Sequence, residues 1–225
     1  SDQHSDKHSG TVPHQKVTEV PHFVEERGAL PDRAASRAAL EVEEKRVITL
    51  LGHVIKRRGH RLVIEALREL PEDVYALFVG APLRGREYMV DQFRDYALEN
   101  GVDDRVRFMG FVPEDELERV LAATDVALAP YRSMSASGAL ATLISAGRPI
   151  VTSDLPQFRE LGAMEPGAFH TFAPYRSEQL APAIETALAV ASDKPDPHVE
   201  ALARRLSTKR VVDRYVGLYR AATAP

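Results

Sequence analysis

An α/β fold with a doubly wound parallel sheet is predicted for this chain, because short apolar runs alternate with helical patterns along most of its 225 residues. The runs lack the polar alternation of a half-exposed strand, so they are typical of parallel strands buried on both faces. Helices between consecutive runs supply the crossovers that a parallel sheet requires. A hydrophobic content of 44% suits a globular domain with a substantial core.

Each element of this fold is predicted from its own run of residues. Strands are predicted at residues 47–51, 74–79, 106–109, 126–129, 150–152 and 168–172. Helices are predicted at residues 60–70, 86–99, 113–123, 139–146 and 177–191. The last segment carries Val211, Tyr215, Leu218 and Tyr219 on one helical face, so we expect it to pack against a surface in this domain or another.

The first 20 residues are predicted to form an extended tail or linker. Apolar residues are almost absent before Val17, so this segment has little to bury. Asp2, His4, Asp6 and His8 alternate as metal ligands can, but polar termini of this kind are usually only solvated. We expect no metal site there.

Composition argues against several classes of function. The net charge is −4 with both signs interspersed, which differs from the basic surface that nucleic-acid binding requires. The absence of cysteine excludes disulfides, thiolate zinc sites and a catalytic thiol. No apolar run approaches the roughly 20 residues of a membrane-spanning helix. We therefore expect a cytoplasmic protein that has no nucleic-acid partner and no membrane span.

A ligand crevice is predicted at the carboxyl ends of the strands, where open parallel sheets bind their ligands. Loops 52–59, 80–84, 110–112 and 130–138 are expected to converge there. The first loop carries Lys56, Arg57 and Arg58, and the last carries serines and leads into a helix near Gly138. Cations, hydroxyl groups and the unpaired N–H groups of a helix N-terminus together favour a bound phosphate.

Two alternatives to a phosphate site stay open at this point. The basic loop can be a solvated turn, and the serines can serve only as helix caps. Neither GxxxxGK[ST] nor GxGxxG occurs in the chain, so the usual ATP and NAD fingerprints are missing.

Six segments occur in the order GHVIKRRG, YALFVG, VRFMGFVPEDEL, ATDVALAPY, SASG and SAGRPIVTSDLPQFREL. In this order they resemble the donor-binding half of GT-B glycosyltransferases of the family 4 type, over about residues 17–222. The resemblance implies a Rossmann-like doubly wound sheet, the C-terminal half of a GT-B fold. It divides the chain into a linker (1–20), a nucleotide-sugar-binding domain (21–206) and a C-terminal helix that packs against an acceptor domain (207–225).

The resemblance also implies roles for individual residues. His53 stands where the family commonly has arginine and Arg58 where it has lysine, and both positions are associated with the donor diphosphate. Catalytic roles are implied for Arg58, Lys56 and Glu160. Binding of the donor is implied for Gly52, His53, Gly80, Gly110, Phe111, Val112, Tyr131, Ser135, Ser137, Gly138, Ala139, Leu140 and Thr142.

The implied reaction transfers a glycosyl group from a nucleotide diphosphate sugar with retention of configuration, without a cofactor or metal. Its acceptor would be held by an N-terminal domain that this chain lacks, or by a second chain. Peripheral contact with a membrane through that acceptor domain is compatible with the resemblance. Alone, the chain is expected to bind the donor with little or no transfer.

The chain departs from the family pattern in its acidic residues. The family usually carries two glutamates around the phosphate-binding helix, but no acidic residue lies between Asp125 and Asp154. Met134 or Ser135 stands at the first position and Thr142 at the second, where a hydroxyl is a weaker acceptor than a carboxylate. Two other functions therefore stay open: a catalytically degenerate binding or regulatory module, or a different doubly wound enzyme such as an epimerase or a phosphorylase relative.

Overall fold

A parallel sheet forms the centre of the protein, as the apolar runs predict. The computed structural model describes residues 20–134 and 137–223. Within them the strands are β1 (Arg46–Leu51), β2 (Val74–Val79), β3 (Val106–Gly110), β4 (Val126–Ala129), β5 (Ile150–Ser153) and β6 (Phe169–Phe172). They lie in the order β3-β2-β1-β4-β5-β6, so the chain winds outward twice from the neighbouring strands β1 and β4. The predicted doubly wound, Rossmann-like sheet is confirmed.

The helices that connect and flank these strands cover both faces of the sheet. They are α1 (Arg33–Ala39), α2 (His60–Leu67), α3 (Tyr88–Glu99), α4 (Glu114–Ala123), α5 (Gly138–Ser145), α6 (Pro156–Met164), α7 (Ser177–Val190), α8 (Pro197–Arg205) and α9 (Thr208–Thr223). Helices α1, α6 and α8 were not predicted from the sequence. The predicted helix 60–70 ends three residues early, where the chain turns ahead of Pro71.

Two hydrophobic layers, one on each face, hold the sheet. Alternate strand residues such as Ile48 and Leu50 point into the layer formed with α2, α3 and α7. Their neighbours Val47 and Leu51 point into the layer formed with α4, α5, α6 and α8. Because both sets are buried, the strands carry apolar residues at consecutive positions, and this is the pattern from which they were predicted.

The C-terminal helix α9 exposes most of its apolar residues. Val211 is buried, whereas Val212, Tyr215, Val216 and Tyr219 are 49%, 56%, 41% and 73% exposed. Of the predicted apolar face, Val211 is buried and Leu218 is half-buried, so the expected packing is met only in part within the described chain. The proposed partner domain stays a prediction. In the part of the chain that the structure describes, no helix is long and apolar enough to cross a membrane.

Candidate functional site

The loops after β1 and β4 lie side by side, because the sheet changes its winding direction between these two strands. The Arg132 N–H donates to the carbonyl oxygen of Arg57 at 2.8 Å. Gly59 permits this approach: its φ is +91°, and a Cβ there would fall 2.4 Å from the carbonyl oxygen of Pro130. Such a switch point is where doubly wound sheets bind ligands.

The loops after β1, β2 and β3 also meet at this edge of the sheet. The Gly52 N–H donates to Val79 and the Gly80 N–H to Gly110, both at 2.8 Å. A Cβ on Gly80 would fall 2.3 Å from the carbonyl oxygen of Gly52. The three glycines predicted at the site, Gly52, Gly80 and Gly110, are thus brought together.

Arg58 joins the first loop to the N-terminus of α5. Its Nη1 donates to the hydroxyl of Ser137 at 3.1 Å. Its guanidinium carbon lies 4.2 Å from the centroid of the Tyr131 ring and 3.4 Å from the position that a Cβ on Gly52 would take. Among the described residues, no carboxylate forms an ion pair with Arg58. Within this part of the chain, no ion pair neutralises the positive charge of Arg58.

Ser137 caps α5, as one of the open alternatives predicted. Its hydroxyl accepts the Leu140 N–H at 3.1 Å, the same oxygen to which Arg58 donates. Helix geometry leaves the N–H groups of Gly138 and Ala139 without intrahelical acceptors. The helix cap and the arginine thus share one oxygen beside two amides suited to an anion.

Tyr131 is the most enclosed of the predicted site residues. Only 1% of it is exposed, and no described residue lies within hydrogen-bond geometry of its hydroxyl. Burial raises the pKa of this hydroxyl more than the nearby Arg58 and Ser137 side chains lower it, so the net effect opposes ionisation. The ring therefore meets Arg58 as a neutral surface.

The other predicted residues lie at different depths. The side chains of Lys56 and His53 are exposed on the loop after β1. Phe111, which follows β3, is 82% exposed, whereas Val112 beside it is buried. Leu140 is almost fully buried in the core, so little of its side chain is open to a ligand.

Glu160 and Thr142 lie beyond Ser137. Glu160 is exposed on α6 and lines a cavity of about 1060 Å³ that also reaches Ser137 and Leu140. Thr142 is half-buried on α5. Predicted Ser135, and the tail over residues 1–19, lie outside the described residues.

His60 lies directly after Gly59 of the first loop, and no role was predicted for it from the sequence. It begins α2, is fully buried, and stacks on Phe93 at a centroid distance of 5.3 Å. Neither ring nitrogen bonds to a described residue. Burial lowers the pKa of His60 to about 3. Its position between Arg58 and Arg61 in a basic stretch gave no sequence signal of burial.

The opposite edge of the sheet holds a separate charge cluster. Asp125 accepts the Val47 N–H at 2.6 Å and forms ion pairs with Arg33 and Arg37. These bonds tie α1 to the amino ends of β1 and β4, away from the crevice. Over the described residues, no group of three or more His, Asp or Glu side chains is arranged to hold a metal ion.

Comparisons with known proteins agree with this architecture. The sequence model of the family described as glycosyl transferases group 1 matches residues 45–190. The 2-deoxystreptamine glucosyltransferase of Streptomyces kanamyceticus is 31% identical over 134 residues, which are 58% of this chain and 33% of that protein. The D-inositol 3-phosphate glycosyltransferase of Corynebacterium efficiens is 28% identical over 54% of this chain and 30% of its own length.

Solved structures show the same fold at low sequence identity. Anabaena Alr3699/HepE, solved with UDP and glucose, has a TM-score of 0.73 and 21% identity, covering 90% of this chain and 54% of that one. The C-terminal domain of a glycosyl transferase group 1 family protein from Francisella tularensis has a TM-score of 0.57 and 14% identity, covering 82% and 93%. The chain thus spans about a third of these curated relatives and about half of Alr3699/HepE.

Proposed function

This chain belongs to the group 1 glycosyl transferases, and on that premise we propose that it is the donor-binding half of a GT-B enzyme. It binds a nucleotide diphosphate sugar at the switch point between β1 and β4. The enzyme transfers the glycosyl group to an acceptor that another part of the protein, or a second chain, holds.

One observation carries this proposal: Arg58 lies at the N-terminus of α5 without a carboxylate partner among the described residues. Its Nη1 and the Leu140 N–H converge on Ser137 within 3.1 Å. The positive end of the helix dipole adds to the charge of the guanidinium. A diphosphate supplies the negative charge that this corner lacks. Alr3699/HepE, a structural neighbour, was solved with UDP and glucose, which supports a nucleoside diphosphate as ligand.

The same groups account for catalysis of the transfer. Breaking the bond between the sugar and the diphosphate leaves the electron pair, and thus negative charge, on the departing diphosphate. Fixed donors at that position stabilise the transition state more than the ground state. Arg58, Lys56 and the amides of Gly138 and Ala139 take this role. One charged hydrogen bond contributes about 1.5–3 kcal/mol, so its loss slows the reaction by one to two orders of magnitude.

Glu160 contacts the sugar end of the donor, and the loop after β3 contacts its base. Glu160 on α6 shares a cavity wall with Ser137, so it orients the sugar next to the diphosphate. Gly110 and Phe111 at the end of β3 meet the base, largely through backbone groups. Thr142 replaces a family glutamate and contacts the ribose through its hydroxyl.

The finer features of the reaction follow the family resemblance. We propose transfer of the family 4 type, with retention of configuration and without a metal. The exposed apolar side of α9 packs against the acceptor domain, which makes any peripheral contact with a membrane. We place the enzyme in the cytoplasm, where nucleotide sugars serve as donors.

Thermal unfolding with UDP, GDP and dTDP, each with and without magnesium, tests the proposal. A ligand at 100 times its Kd stabilises the folded state by about 2.7 kcal/mol, which raises Tm by roughly 5–10 °C for a domain of this size. We expect a shift with one nucleotide and no dependence on magnesium.

Two variants of the same turn make this test specific. Arg58→Ala should remove most of the shift, whereas Arg57→Ala should retain it, because only Arg58 of the two is described in contact with Ser137 and Tyr131. The absence of a shift with all three nucleotides contradicts donor binding by this chain. Equal losses in the two variants contradict the assignment of Arg58.

A further inference from the structure

The buried ring of Tyr131 supports the guanidinium of Arg58. The Arg58 Cζ lies 4.2 Å from the ring centroid, within the range in which a cation is attracted to an aromatic face. The two residues come from the loops after β1 and β4, so this contact bridges the switch point. Arg58 is thereby held on one side by an aromatic ring and at its end by the hydroxyl of Ser137.

Tyr131 itself is fixed from several directions. Its ring packs at 5.9 Å from the ring of Phe158 on α6. Its N–H donates to Ala129 at 2.8 Å, and its carbonyl oxygen accepts the hydroxyl of Ser153. A ring that is 1% exposed and bonded on both sides of its backbone is a rigid support.

The support leaves the charge of Arg58 intact. Arg159 and Arg46 are instead oriented by the carboxylates of Asp154 and Asp73. Arg61 lies over the ring of Tyr96 at 4.3 Å, but it also pairs with the carboxylate of Glu65. A carboxylate orients a guanidinium but cancels its charge, whereas an aromatic face orients it and leaves the charge available to a ligand. A guanidinium has five N–H donors in a planar fork, and one bond to Ser137 leaves the others for an anion.

We propose that Tyr131 is a positioning residue that holds Arg58 for the diphosphate of the donor, through its ring and not through its hydroxyl. The inference rests on the proposed function, because it assigns the anion to the donor. It also explains why arginine fits position 58 in this chain, since a planar guanidinium stacks on a ring better than the compact ammonium of lysine.

Isothermal titration calorimetry on the full chain tests the proposal. The ligands are UDP, GDP and dTDP, and then the nucleoside that corresponds to the diphosphate that binds. Tyr131→Phe retains the ring, and we expect a Kd within about twofold of the wild type. Tyr131→Leu removes it, and we expect about tenfold weaker binding of the diphosphate with unchanged binding of the nucleoside. A structural defect would weaken both ligands alike, so this split separates positioning from misfolding.

A double variant tests whether Tyr131 acts through Arg58. Arg58→Ala with Tyr131→Leu should bind UDP, or the other diphosphate that binds, no more weakly than Arg58→Ala alone. Additive losses overturn the proposal, because they mean that Tyr131 acts independently of Arg58. Arg58→Lys should weaken binding of the diphosphate when Tyr131 is present. It should have little further effect in a protein that already carries Tyr131→Leu.

A measurement without ligand keeps this inference distinct from the proposed function. The Arg58 Nε–H resonance in a nitrogen–proton spectrum should show an aromatic ring-current shift that Tyr131→Phe retains and Tyr131→Leu abolishes. An unshifted resonance in the wild type overturns the positioning. A shifted resonance in a chain that binds none of the three nucleotides supports the positioning of Arg58 but contradicts the donor as its ligand.

Discussion

A Cβ atom on Gly80 would fall 2.3 Å from the carbonyl oxygen of Gly52, so the ends of β2 and β1 meet through backbone alone. Gly80 also has a φ of +134°, a conformation that side chains rarely adopt. The crevice at this edge of the sheet therefore depends on a position that tolerates only glycine.

Gly80→Ala should lower the free energy of unfolding by about 3 kcal/mol, because backbone strain and overpacking add at this position. Chemical denaturation measures this loss. Gly162→Ala is the matched control: Gly162 lies within α6, and its Cβ would meet Phe169 at an ordinary 3.7 Å. It should stabilise the protein by roughly 0.5–1 kcal/mol. A Gly80→Ala variant as stable as the wild type contradicts this account.

His60 should make stability depend on pH. Its pKa is about 3 in the folded protein and about 6.5 in an unfolded chain, so the unfolded state binds more protons between these values. The contribution of neutral His60 is present above pH 6.5 and is lost as the pH falls toward 3. At pH 5 the loss is about 2 kcal/mol.

His60→Phe should remove this part of the pH dependence, because phenylalanine fills the stack on Phe93 without titrating. The measurement is the difference in unfolding free energy between the variant and the wild type at pH 7 and pH 5. His53→Phe serves as the control, since His53 is exposed. A constant difference between His60→Phe and the wild type at both pH values contradicts the prediction.

Substitutions of Ser137 should separate stability from binding. Ser137→Ala removes the cap of α5 and should cost about 1 kcal/mol of unfolding free energy. Ser137→Asp caps the helix again and should retain stability, but its carboxylate pairs with Arg58 and repels a diphosphate. We expect at least tenfold weaker binding of UDP, or of whichever diphosphate binds, by Ser137→Asp. Binding equal to that of the wild type argues against an anion at this corner.

Asp125→Ala should destabilise the protein without affecting the crevice. It leaves two arginines, Arg33 and Arg37, without their shared carboxylate, and we expect a loss of about 3 kcal/mol in denaturation. The nucleotide Kd should stay within twofold. Asp73→Ala breaks the more exposed pair with Arg46 and should cost under about 1 kcal/mol. A large change in Kd for Asp125→Ala would mean that the two edges of the sheet are coupled.

The strands could be predicted from sequence because both faces of the sheet are buried. Every predicted strand boundary lies within one residue of the observed one, as for β2 (Val74–Val79) and β4 (Val126–Ala129), where the two coincide. Helix α6 carries one fully buried side chain, Phe158, so its amphipathic pattern was too weak to predict it. Helix α8 has clearer signals that were missed, namely the Asp196 cap and buried Val199 and Leu202.

The sequence was sufficient to predict which charged and polar residues line the candidate site, but not how their side chains contact one another. The prediction that the basic loop and the serine turn face one crevice agrees with the bond between Arg58 and Ser137. The ring of Tyr131 against Arg58 depends on how two distant loops pack, which no local pattern encodes. The depth of Leu140 and the burial of His60 depend on packing of the same kind.

The order of the strands has a consequence for how the protein opens. Strands β1 to β3 form one half of the sheet and β4 to β6 the other. The two halves meet at a seam, the parallel pairing of β1 with β4, and the bond from Arg58 to Ser137 crosses this seam at its carboxyl end. A ligand bound at this seam contacts both halves of the sheet, so neither half can unfold locally while the ligand is bound. A ligand bound there should therefore slow amide exchange on both sides of the seam together, instead of on one side only.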